Sequence, residues 1–267
     1  MAELSQQQLE RYARHIALPG FGEEGQKRLL ASRVLCVGIG GLGSPAVLYL
    51  AAAGVGTIGI ADDDVLDLAN LHRQIVHTMD DVGEPKVHSA EKRLRELNPE
   101  VQVKTFDRRV TAENVSQLVG EYDIVVDGCD NPETRYLLND ACFFEKTPFV
   151  HGSIFRYEGR ATTFTYAEGT PCYRCVYRSP PPPGFLPPGR EAGIASPVPG
   201  LIAMVQVAEV LKYVLGIGDP LVGRMILYDL LGMSFQEVKI KQDPDCMLCG
   251  ENRRITRPQG GEGLSPG

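Results

Sequence analysis

The sequence predicts an α/β protein whose sheet begins mainly parallel and continues into a mixed, antiparallel region. Three observations predict it. An apolar run at residues 33–37 ends in Gly38-Ile39-Gly40-Gly41-Leu42-Gly43 and passes directly into an apolar helical stretch, residues 44–53. Short apolar runs then alternate with helical ones as far as residue 146. From Pro148 two strand-like runs follow each other with no long helix between them.

Taken in order, residues 6–14 have helical character and end in a polar cluster, Arg11, Tyr12, Arg14 and His15, before Pro19 and Gly20 interrupt. A helix over 23–31 leads into the first strand, and the glycine turn follows it. The second strand, 57–61, carries Asp62, Asp63 and Asp64 at its C-terminal end, where open parallel sheets bind ligands. Residues 84–97 read as a helix that stops before Asn98-Pro99, 101–105 as a strand, and 123–126 as a buried strand ending in Asp127-Gly128-Cys129-Asp130. Residues 132–146 return as a helix.

Beyond it, 149–153 and 160–166 read as strands. Residues 178–192 form a mobile proline-rich loop, 200–215 a strong amphipathic helix, and 225–228 with 234–240 a last pair of strands. There is no internal repeat. The expected organisation is a single domain, 1–250, with a Rossmann-like nucleotide-binding half at 30–150, a mixed-sheet half at 151–250 and a disordered tail at 251–267.

Composition narrows the function classes. A formal net charge of -7 argues against a general nucleic-acid binder, which needs surplus Lys and Arg to neutralise phosphates. No run of about 18 uncharged apolar residues and no basic-then-apolar leader is present, so no membrane partner is expected and the chain reads as soluble and cytoplasmic. Of seven cysteines, Cys36, Cys129 and Cys142 read as interior residues and the other four form two Cys-x-x-Cys pairs.

The glycines Gly38, Gly40, Gly41 and Gly43 suit a tight turn with close backbone approach to a phosphate at a helix N-terminus. Asp62, about 20 residues on, can accept hydrogen bonds from a ribose. Nicotinamide and flavin enzymes share that much. Arg73, in Asn70-Leu71-His72-Arg73-Gln74, and Lys86 add two cations that a hydride-transferring enzyme does not need, whereas displacement at a phosphate does. Asp130 is placed to hold Mg²⁺ against nucleotide phosphates; its alternative is the N-cap of the helix that opens at Pro132, and Asp127 is the weaker metal candidate. The knuckles Cys172-x-x-Cys175 and Cys246-x-x-Cys249 can supply four thiolates to a structural zinc, against a reading as two redox pairs.

The joint pattern of the glycine turn, Asn70-x-x-Arg73-Gln74, Lys86, Asp127-x-x-Asp130-Asn131-x-x-x-Arg135 and the two knuckles resembles the MoeB/ThiF family, relatives of ubiquitin-activating enzymes, from about residue 11 to residue 249. The resemblance implies an ATP-dependent adenylyltransferase. It would join AMP to the C-terminal Gly-Gly carboxylate of a ubiquitin-like sulfur carrier and release pyrophosphate. It further implies that Asp62 binds ribose, that Asn70, Arg73 and Lys86 contact phosphates, with Gln74 in the same motif, and that Asp130 holds Mg²⁺. Arg14 matches an arginine supplied by the partner subunit, which implies a homodimer. Many relatives carry a cysteine where this chain has Gly189, so covalent transfer through that loop is not expected and a separate sulfur donor is. An NAD-dependent oxidoreductase and a catalytically silent scaffold for a ubiquitin-like tail are the rival functions.

Overall fold

Short strands rich in Val, Ile and Leu, buried on both faces, build the centre of the molecule, as expected where helices cover both sides of a parallel sheet. The computed structural model describes residues 3–180 and 192–260. Its strands are β1 (Arg33–Val37), β2 (Thr57–Ala61), β3 (Gln102–Phe106), β4 (Ile124–Asp127), β5 (Phe149–Phe155), β6 (Glu158–Phe164), β7 (Arg224–Asp229) and β8 (Ser234–Lys239). They form one sheet in the order β3-β2-β1-β4-β5-β6-β7-β8. The first five run parallel, and the pairings from β5 to β8 are antiparallel.

The helices are α1 (Gln6–Arg11), α2 (Ala13–Ile16), α3 (Gly22–Ala31), α4 (Gly43–Ala53), α5 (Lys86–Leu97), α6 (Val115–Gly120), α7 (Pro132–Glu145), α8 (Tyr173–Val176) and α9 (Pro197–Leu215). Strand alternation sorts the core into two layers. Val34 and Cys36 of β1 pack with Leu50 of α4, Leu94 of α5 and Val207 of α9, while Leu35 and Val37 pack with Leu118 of α6 and Leu138 of α7. Each fully buried Leu or Val stabilises the fold by about 1.5–3 kcal/mol before entropy is counted.

Three features differ from the sequence reading. Helix α9 begins at Pro197, a turn earlier than expected, because proline is tolerated in a first helical turn. It is also not amphipathic. Ile202 and Val210 are buried, while Leu201, Met204, Val205 and Leu211 lie partly buried around it. It is long and apolar enough to cross a membrane by composition, yet half of it is buried in the fold. Its Glu209 accepts hydrogen bonds from Thr163 Oγ1 at 2.7 Å and Leu221 N at 2.6 Å, as a core helix would. The short helix α6 had no separate sequence signal.

Residues 251–260, read as part of a disordered tail, lie against the body. Arg254 N and Ile255 N donate to Met247 O, and Ile255 is 4% exposed. The glycine-rich end at 261–267 and most of the proline-rich stretch, 181–191 with Gly189 in it, are outside the described residues.

The ends of β1 and β4 are pressed together so closely that a Cβ on Gly128 would stand 2.0 Å from Gly38 O. Gly128→Ala is therefore expected to cost more than about 4 kcal/mol, a magnitude reserved for gross steric conflict. Gly200, in α9, has open space around its missing Cβ, so Gly200→Ala should stabilise by about 0.5–1 kcal/mol. Urea denaturation of the two variants measures both.

Candidate nucleotide site and metal centre

The strand order reverses between β1 and β4, and a ligand site is expected in the crevice beyond their C-terminal ends. The residues singled out from the sequence gather there. Gly38 has φ +88°, a conformation that L side chains avoid, and a Cβ on Gly43 would meet Gly38 O at 1.9 Å. Gly40 and Gly41 have more room. The atom nearest a Cβ on Gly40 is Gln74 Nε2 at 3.7 Å, and a Cβ on Gly41 would be 3.5 Å from Arg73 Cδ. Among the described residues no side chain caps the N-terminus of α4, so the positive end of its dipole faces the turn.

Asp62 ends β2 and is tied into this turn: its Oδ2 accepts from Ile39 N at 2.6 Å and its Oδ1 from Asp64 N at 2.9 Å. Burial raises its pKa, and the nearby Lys86 opposes the rise. Lys86 opens α5, is 5% exposed, and pairs through Nζ with Asp64 Oδ2 at 2.7 Å. A buried ammonium with one exposed carboxylate partner can exchange that partner for a phosphate at modest cost.

The 67–77 segment runs beside the turn. Asn70 closes a 3₁₀ turn by accepting from Asp67 N, and its carbonyl accepts from Arg73 N and Gln74 N. Gln74 is buried with Oε1 unpartnered, and Arg73 is part-buried. Burial lowers the Arg73 pKa, and the charge of Asp130 opposes that shift. Ser44 Oγ accepts from Val76 N at 2.8 Å, and His77 bridges Ile39 O and Ser89 Oγ, tying the segment to α4 and α5.

Asp130 is exposed at the mouth of the crevice. It is not the cap of α7: Asn131 is, accepting from Thr134 N at 2.9 Å with Pro132 in the first turn. Asp127 is fully buried and cannot reach a ligand. Its Oδ2 accepts from Arg135 Nε at 3.1 Å and His151 Nδ1 at 2.6 Å, and its Oδ1 from Cys129 N at 2.9 Å. Burial pushes the Asp127 pKa up, and Arg135 with His151 overcomes this and holds it below the usual carboxylate range.

The four knuckle cysteines converge at the other end of the chain. Sγ separations are 3.8 Å for Cys172 and Cys175, 3.6 Å for Cys172 and Cys246, and 3.3 Å for Cys175 and Cys249. All four sulfurs lie within 4.8 Å of one another. Those spacings are too long for S–S bonds, of about 2 Å, and near the edge of about 3.8 Å of a tetrahedron with Zn–S of 2.3 Å. The donor set therefore fits zinc, with every position filled by protein.

Arg14 is the residue that one chain does not bring to the site. It lies on α2, next to Tyr12, whose hydroxyl packs at Gly54 beyond the C-terminal end of α4 and accepts from Asn98 Nδ2. The eleven residues of α4 separate that end from the glycine turn, a length of about 16 Å. His77 and His151 were not among the sequence candidates, and Arg135 entered only as part of the family motif, with no role of its own. Single histidines in apolar runs carry no local signal, and only the fold shows that Arg135 pairs with Asp127.

A profile of the ThiF family matches residues 12–248. The chain is 49% identical to the SAMP-activating enzyme E1 of Haloferax volcanii, over 91% of this chain and 90% of that protein. It is 44% identical to the sulfur carrier protein adenylyltransferase of Thermus thermophilus, over 92% of this chain and 93% of that one. Among solved structures, Escherichia coli MccB with ATP superposes with a TM-score of 0.78 at 23% identity, over 90% of this chain and 73% of that one, a likeness of fold.

Burial lowers the pKa values of both His77 and His151. The unfolded chain therefore binds protons that the folded chain refuses once pH falls below about 6.5. Stability from this source is full above that pH and is lost as pH falls toward the depressed folded values. The thermal midpoint should drop between pH 7.5 and 5.5, and by less in a His77→Asn, His151→Asn double variant. Equal drops in the two proteins would exclude the histidines as the cause.

Proposed function

The chain belongs to the ThiF family, and we propose that its switch-point site adenylates the C-terminal Gly-Gly carboxylate of a ubiquitin-like sulfur carrier with ATP. The adenylyltransferase identity follows from relatives at 43–49% identity over most of the chain. The observation that carries the site assignment is the convergence of Arg73, Lys86 and Asp130 on one uncapped, glycine-lined helix N-terminus. Hydride transfer gives none of these three residues a task.

The incoming carboxylate is already ionised, so the reaction needs no general base. The site must align the carboxylate with the α-phosphorus, exclude water and neutralise charge as pyrophosphate leaves. In this reading Gly38, Gly40, Gly41 and Gly43 with the α4 N-terminus receive the phosphates, and Asp62 accepts from the ribose. Lys86 exchanges Asp64 for phosphate oxygens, Asn70 and Gln74 hold the segment that presents Arg73, and Asp130 holds Mg²⁺. The magnesium ion, when bound, neutralises phosphate charge; an exposed carboxylate relieved of any capping duty fits it.

The far placement of Arg14 supports a homodimer in which each subunit lends this arginine to the other's site. Zinc at Cys172, Cys175, Cys246 and Cys249 is structural. With Gly189 where many relatives have cysteine, the acyl-adenylate passes to a separate sulfur donor and no enzyme thioester forms. The chain acts in the cytoplasm on this reading.

Carrier-dependent ATP–pyrophosphate exchange tests the reading. Arg73→Ala and Lys86→Ala should each lose about a hundredfold in exchange, equivalent to about 3 kcal/mol, while keeping wild-type circular dichroism. Undiminished exchange in both would remove them from the site. Mixing inactive Arg14→Ala with inactive Lys86→Ala should restore about a quarter of the sites if a two-fold dimer shares Arg14; no recovery after subunit exchange would exclude sharing. Cys246→Ser should abolish the zinc stoichiometry measured by atomic emission and lower the thermal midpoint.

A further inference from the structure

Asp127, Arg135 and His151 form a buried polar group that the adenylation reading does not itself employ. Asp127 is fully buried, His151 is 1% exposed, and the Arg135 side chain is 12% exposed. All three donors on the carboxylate are needed. A charged group taken out of water is tolerable only when its lone pairs are met, and the partners here are Cys129 N, Arg135 Nε and His151 Nδ1.

The histidine's state follows from its surroundings. Asp127 is ionised beside Arg135, so Nδ1 must be the donor of the 2.6 Å contact. The opposite nitrogen, Nε2, has no hydrogen-bond partner among the described residues and belongs to a ring packed among those of Phe149, Phe164, Tyr173 and Tyr177. A proton there would be a buried charge without a partner. His151 is thus a neutral donor of fixed tautomer, a second charge-free tie on a carboxylate that Arg135 already balances.

What this group grips is the backbone of one residue, Cys129, through the two peptide groups that flank it. Asp127 Oδ1 holds Cys129 N, and Arg135 Nη2 donates to Cys129 O, so the backbone just before Asp130 is held at both its polar atoms. The loop cannot retreat the other way. Gly128 N donates to Val37 O at 2.8 Å, and Gly128 lies against the Gly38 turn, while Gln206 Nε2 holds Asp127 O at 2.9 Å. Asp130 is the first residue to emerge from this vice.

We propose that His151 is a positioning residue for Asp130: by completing the donors on Asp127 it fixes the Cys129 backbone from which Asp130 projects beside the nucleotide turn. The proposal rests on the adenylation reading for its kinetic consequence, but not for its structural one. His151→Phe keeps the ring and loses the donor; His151→Asn keeps a donor amide near the Nδ1 position.

In pyrophosphate exchange, His151→Phe should lose about ten- to a hundredfold in kcat, the scale of a misplacement near one ångström. It should also need severalfold more Mg²⁺ for half-maximal rate, with His151→Asn recovering most of both. Hydrogen–deuterium exchange of a peptide spanning residues 124–136 should quicken in His151→Phe and return toward wild type in His151→Asn. A folded His151→Phe with wild-type exchange kinetics, Mg²⁺ dependence and peptide protection would overturn the proposal. Equal defects in the two variants, tracking only their loss of folded protein, would overturn it as well. If the wild type shows no pyrophosphate exchange with any Gly-Gly carrier, the adenylation reading fails, and peptide protection alone still decides whether His151 holds the loop.

Discussion

Two stretches of backbone without side chains meet at the centre of this molecule, and the site depends on their contact. Gly38 leaves β1 and Gly128 leaves β4, so near each other that neither can carry a Cβ. Adjacent parallel strands lie about 4.8 Å apart, and their connections diverge to opposite faces at this position, into α4 and α7. The gap left between them is narrow and lined by peptide groups. One wall presents the amides of the glycine turn, the other Asp130. Were the contact looser, the cation of Arg73 and the anion of Asp130 would share no common centre, whatever their own rotamers.

Much of this was legible in the amino-acid order. The central strands are short apolar runs of high β-propensity bounded by glycine or aspartate, and such runs declare themselves. The glycine turn, Asp62 and Asp130 follow strand ends, where local pattern and ligand chemistry coincide, and Arg73 and Lys86 stand out as cations in the connection from β2 to α5. The four cysteines could be paired because two identical spacings imply one centre. Local order did not show which aspartate of the 127–130 loop is free. Both are carboxylates at a strand end, and only packing reveals that Asp127 faces Arg135 and His151 while Asn131 relieves Asp130 of capping. Pattern misled at α9, read as strongly amphipathic, where polar Gln206 and Glu209 are buried. It misled again at 251–260, where Gly- and Pro-containing chain is held by backbone bonds and by Ile255.

The cysteine knuckle is joined to the body by charge. Arg174, between Cys172 and Cys175, is 2% exposed and makes two 2.7 Å bonds to Asp140 of α7, with its guanidinium 4.7 Å from the Tyr136 ring centroid. Tyr173 N donates to Asn139 Oδ1 of the same helix. Helix α7 therefore has Asp130 and its cap at one end and the cysteine centre along its side. A disturbance of the cysteine cluster has a packed route to the crevice beyond β1 and β4, through an element that starts two residues after Asp130.

Closing Cys172 onto Cys246 spans 74 positions of sequence and encloses α9, β7 and β8. A link of that span acts as much on the unfolded chain as on the native one, removing loop-closure entropy on the order of 4 kcal/mol if it persists, by analogy with a disulfide. A thiolate–metal bond differs from a disulfide in being reversible at neutral pH without any electron donor. With zinc bound as proposed, the chain would be cross-linked in a reducing medium and released again on synthesis or degradation, with the free metal concentration, not the redox potential, setting how long the loop stays shut.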